Sequence, residues 1–100
     1  MFAGYGKLDE VFKGAFIVTD AAEVPVNPDT DPTFRVYGPD GLMLNGTGVA
    51  SKLDTPAGLY EYAVNALASD GYELGKSYRV VITAIIGGAP AGIDQNFIVS

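Results

Sequence analysis

The sequence predicts an all-β fold: an Ig-like antiparallel β-sandwich of six to seven strands with an extended N-terminal arm. Three observations carry that expectation. Short runs of alternating apolar and polar residues, rich in β-branched and aromatic side chains, recur along the chain. Turn residues punctuate them, with 13 Gly and 6 Pro in 100 residues. No segment shows the apolar spacing of an amphipathic helix. The length suits one small domain, and a hydrophobic fraction of 48% supports a packed core. The expected division is an arm over residues 1–10 and a sandwich domain over residues 11–100.

The arm places Phe2 and Tyr5 between glycines, with Lys7 following. Aromatic side chains on a terminal segment are costly to leave in water, so Phe2, Tyr5 and Lys7 are the candidate partner contacts. Residues 11–19 alternate, and placing Phe12, Phe16 and Val18 inward leaves Lys13 and Thr19 outside. Residues 24–32 hold three prolines, which forbids a central strand or helix and predicts a loop or an extended edge segment. Asn27, Asp29 and Asp31 are the candidate exposed residues of that loop.

Thr33 to Tyr37 alternates with Phe34 and Val36 inward. Gly38-Pro39-Asp40-Gly41 is a turn in which Pro presets φ and Gly accepts a positive one. Leu42-Met43-Leu44 starts the return strand, Asn45-Gly46 is a second turn signal, and Thr47 to Leu53 is a weak strand. Asp54-Thr55-Pro56-Ala57-Gly58 closes it. Residues 59–64 put Tyr60, Tyr62 and Val64 on one face, and Asp70-Gly71 marks a turn after a short helical turn. The longest alternating run spans Gly75 to Ile86, with Tyr78, Val80, Ile82, Ala84 and Ile86 inward. Tyr78 just after the Leu74-to-Ser77 turn suits a tyrosine corner. Gly87 to Gly92, with Pro90 as a further exposed candidate, reads as a mobile hairpin loop. Residues 93–99 close the chain, with Ile93, Gln95, Phe97 and Val99 sharing a face.

Chemistry is thinly represented. The chain has no His and no Cys, which removes the usual neutral-pH base, soft metal ligands and disulfides. Gly71 to Ser77 falls one residue short of a phosphate loop and leads into a strand. Asn27, Asp29 and Asp31 alternate as calcium ligands do, but Pro32 stands where that loop requires Gly. Glu61, Asp40, Asp54 and Asp70 form no recognisable acid pair, so the expectation is no enzyme and no cofactor. A net charge of −6 disfavours nucleic acid and anionic membranes as partners.

Three stretches resemble a group of small structural proteins of tailed phages with Ig-like sandwiches. They are Pro32-Thr33-Phe34-Arg35-Val36-Tyr37, Gly58-Leu59-Tyr60-Glu61-Tyr62, and Gly71-Tyr72-Glu73-Leu74-Gly75-Lys76-Ser77-Tyr78, in order across about residues 11–99. The resemblance implies a virion protein made in the host cytoplasm that decorates and cements the capsid surface. Its implied partners are the major capsid protein or other virion proteins, and further copies of itself, with a trimer as the expected arrangement. A tail or head-fibre component, or a carbohydrate- or receptor-binding module using residues 27–31 and 87–92, are the alternatives.

Overall fold

A computed structural model describes residues 1–53 and 56–100; the expected turn at Asp54-Thr55 lies outside the described residues. Among the described residues eight strands form: β1 (Phe2–Gly6), β2 (Val11–Ile17), β3 (Thr33–Gly38), β4 (Gly41–Val49), β5 (Ser51–Lys52), β6 (Leu59–Asn65), β7 (Ser77–Ile86) and β8 (Ala89–Val99). A 3₁₀ turn, Ala68–Asp70, precedes the left-handed Gly71. The larger sheet has the order β1-β8-β7-β3-β4 and the smaller one β2-β6-β5. One sheet over the other makes the expected sandwich, in the arrangement of an Ig-type fold.

The alternating pattern sets which face each strand buries. Phe12, Phe16 and Val18 point inward from the β2 region, Phe34 and Val36 from β3, and Tyr60, Tyr62 and Val64 from β6. Tyr78, Val80, Ile82 and Ala84 do so from β7, and Phe97 and Val99 from β8. Each large side chain in this set contributes about 1.5–3 kcal/mol relative to its exposure to water. β7 is the central strand, antiparallel to β3 on one side and to β8 on the other. The backbone N–H of Glu73 donates to the Tyr78 hydroxyl at 2.8 Å, so the tyrosine corner is formed.

Four expectations are corrected. Residues 2–6 are not an extended arm: they pair with β8 as a strand of the larger sheet, and they do so in parallel rather than antiparallel. The backbone there has partners at both ends, since Asn96 donates to the Met1 carbonyl (2.8 Å) and Ser100 to that of Gly6 (2.8 Å). Asn45-Gly46 is not a hairpin turn. β4 runs through it with a bulge, five steps along β4 (Leu42 to Thr47) matching two along β3 (Tyr37 to Arg35). Asn45 takes the extra bend at φ 55°. The expected Thr47–Leu53 strand divides at Ala50 into the end of β4 and the short β5 of the other sheet. These additions raise the count above the six to seven anticipated. Lastly, the hairpin after β7 turns on Gly87 and Gly88 alone, and Pro90 lies in β8 opposite Ile85.

The centre of the core is polar at one point. The Tyr62 hydroxyl on β6 donates to Gln95 Oε1 on β8 at 2.6 Å, and Gln95 Nε2 donates to the Ala15 carbonyl on β2 at 3.0 Å. Gln95 is the buried polar residue of the core, and this chain gives its amide a partner at each end. Tyr62 reaches it because β2 carries Gly14 opposite: a Cβ at Gly14 would stand 2.3 Å from the ring.

Two outcomes follow from this core. Tyr62→Phe keeps the ring but leaves the Gln95 oxygen buried without a donor, and is expected to lower unfolding free energy by about 1–3 kcal/mol in urea titrations. Burial also pushes the Tyr62 phenol up to about 12; burial, then the charge of Asp70 and the neighbouring Tyr78, do the same for Tyr72. Below the ordinary value of 10.0 both phenols are neutral in either state, so their full contribution is present there. Above it the unfolded chain ionises first, and stability is expected to fall as pH rises from 10.0 through about 12. Urea midpoints measured across that window should decline, with part of the tyrosinate absorbance appearing only as the protein unfolds.

Candidate interaction surfaces

The edge strand β1 brings Phe2 and Tyr5 together. Residues three apart on a regular strand face opposite sides. Here the register slips between Phe2 and Gly4, so two steps on β1 match one on β8. The extra residue restores the parity, and Gly4 accommodates it at φ 128°. The two rings meet edge to face at 5.2 Å, yet Phe2 remains 48% and Tyr5 67% exposed. Lys7 is exposed just past the strand. Where β1 passes β2, a mainly polar groove runs between Tyr5 and Val11, with Lys7, Glu10 and Lys13 along it. The Phe-x-x-Tyr spacing was visible in the sequence; the bulge that makes it one surface was not.

The loop residues sit at the other end and are mostly engaged in holding the fold. Asn27 Oδ1 accepts from the Gly58 N–H at 2.9 Å. The Asp29 carboxylate accepts from the N–H groups of Gly87 (3.2 Å) and Gly88 (2.9 Å), while its own N–H donates to the Ile85 carbonyl at 2.7 Å. Asp29 therefore clamps the tip of the β7–β8 hairpin and holds the proline-rich loop against it. Pro90 is exposed but belongs to a strand rather than a loop. Asp31 lies beside Tyr60, whose phenol is raised first by burial and then by the charge and hydrogen bond of that carboxylate. Tyr60, Tyr62, Tyr72 and Tyr78 all point into the core, so none presents a ring to a sugar. Among the described residues no three His, Cys, Asp or Glu side chains gather as metal ligands.

A surface that sequence reasoning missed lies on the opposite edge of the larger sheet. Leu42, Leu44 and Val49 of β4 are exposed there. The Leu-Met-Leu run was legible as a strand, but only the sheet order shows that this strand is an edge.

Comparison with known proteins finds no match: no family model, no characterised sequence and no solved structure aligns with this chain.

The Asp29 clamp is testable directly. Asp29→Ala is expected to speed amide exchange at Gly87 and Gly88 by about tenfold, with about 1 kcal/mol or less lost in global stability. Unchanged exchange at the tip would show that the hairpin holds itself.

Proposed function

We propose that this chain is a structural protein of a phage virion that decorates the outer capsid, docking through the β1 edge. The observation that carries the reading is the Phe2–Tyr5 pair, two rings packed on each other and left in solvent on an edge strand with a fixed backbone. A pre-ordered aromatic pair loses little side-chain entropy when it is covered, which is what an anchor residue requires. The sequence resemblance to small phage structural proteins supplies the context. A small acidic sandwich without disulfides can fold in the host cytoplasm and then bind a finished shell. Many copies on one shell supply avidity beyond any single patch. The implied partner is the major capsid protein, with neighbouring copies of this chain beside it.

The test uses purified shells and the full chain. Phe2→Ser with Tyr5→Ser is expected to leave the fold intact and to cut occupancy on shells at limiting protein by about tenfold or more. Shells lacking the chain are expected to lose resistance to heat or chelators. Full occupancy by the double variant removes β1 as the docking edge, and equal robustness of bare shells removes the cementing role.

A further inference from the structure

We infer that the free edge of β4 is a docking site for an extended segment of a partner protein that carries a carboxylate side chain among apolar ones. The backbone of this edge is available for pairing. Ala50 N–H donates to the Pro32 carbonyl at 2.8 Å, so Ala50 and, by the two-residue period, Gly48 turn toward β3. Thr47 and Val49 therefore turn their N–H and C=O groups outward, where, among the described residues, β4 has no hydrogen-bonded neighbouring strand.

Exposed edges in folded proteins usually carry charge or proline that blocks pairing. β4 reads Gly-Leu-Met-Leu-Asn-Gly-Thr-Gly-Val, with no charged residue and no proline. Leu44 and Val49 are 64% and 62% exposed along it. Such an edge is complementary to an incoming strand.

Charge identifies the kind of strand. The chain is acidic overall, yet of its two arginines Arg35 lies exposed on β3, the strand next to this edge, and Arg79 lies one strand further in, on β7. Register aligns Thr47, Arg35 and Val81 in one row across β4, β3 and β7, and Leu42, Tyr37 and Arg79 in the next. Arg79 is paired with Asp94 at 2.9 Å. Arg35 is exposed and, among the described residues, makes no ion pair. Only the short Thr47 side chain separates Arg35 from the edge, so an acidic side chain on an added strand comes within reach of the guanidinium. A second copy's β4 is a poor occupant, because it brings Arg35 toward Arg35 between two molecules of net charge −6. The inference depends neither on the β1 surface nor on a virion.

The test is a titration of the isotopically labelled full chain with synthetic peptides of about ten alternating Thr and Val residues, one carrying a central Glu and the other Lys in its place. The Glu peptide is expected to bind about threefold to fivefold more tightly at low salt and to protect the Thr47 and Val49 amides from exchange. Arg35→Glu, a change on the exposed face, is expected to reverse the preference between peptides. Leu44→Lys with Val49→Lys is expected to abolish binding of both while the fold is retained. No binding, protection at β1 instead of β4, a preference unchanged by Arg35→Glu, or concentration-dependent self-pairing through β4 would each overturn the proposal.

Discussion

The hydrogen-bond chain from Tyr62 through Gln95 to Ala15 is the point on which the rest of the sandwich depends. It ties β6 and β2 of one sheet to β8 of the other, in a chain with no cysteine to form an inter-sheet disulfide. The tyrosine ring lies between Phe12, Phe16 and Phe34, with centroids 5.5–6.4 Å away. Its position requires the missing side chain of Gly14 on the opposing strand. A buried polar link of this kind fixes register as well as adding stability, since a shift of β8 by one residue would carry Gln95 to the outer face and bring Asn96 or Asp94 inward. With register fixed in β8, the strands that pair with it, β7 and β1, are placed too.

That dependence connects core to surface. β1 exists as a strand only because β8 offers it a partner, and its bulge sets Phe2 against Tyr5. The rigid middle of the molecule thus presents two edges of different character. The β1 edge carries an aromatic pair with Lys7 just beyond it, and the β4 edge carries aliphatic residues beside Arg35, which makes no ion pair among the described residues. The loop end, by contrast, has its polar atoms engaged in structure: Asn27 and Asp29 hold Gly58 and the β7–β8 tip. Function assigned to the edges leaves that clamp free to be purely structural.

Much of the fold is legible in the sequence. The inward sets Phe12/Phe16, Phe34/Val36, Tyr60/Tyr62/Val64 and Tyr78 to Ala84 follow from period-two alternation, which burial enforces directly. The tyrosine corner was legible because a Tyr after a tight Gly-containing turn has few other arrangements. Three features were not. β1 lacks alternation because its bulge breaks the period, so Phe2 to Gly6 read as an arm. Asn45-Gly46 has the composition of a turn, and only the pairing of Thr47 with Arg35 shows the chain carrying on as a strand. Gln95 was visible on the inward face, but its partner is 33 residues away in sequence and belongs to the other sheet. The candidate site followed the same rule: Phe2 and Tyr5 were identifiable as costly in water, whereas the edge status of β4 is a property of strand order alone.

The most direct measurement is a density map of the protein bound in its native assembly, resolved well enough to show which edge of the larger sheet is covered. Phe2 and Tyr5 are expected to be buried against a neighbouring capsid chain with β1 still paired to β8. A map in which that edge faces solvent while another surface carries the contact would contradict the docking role of β1, whatever the occupancy.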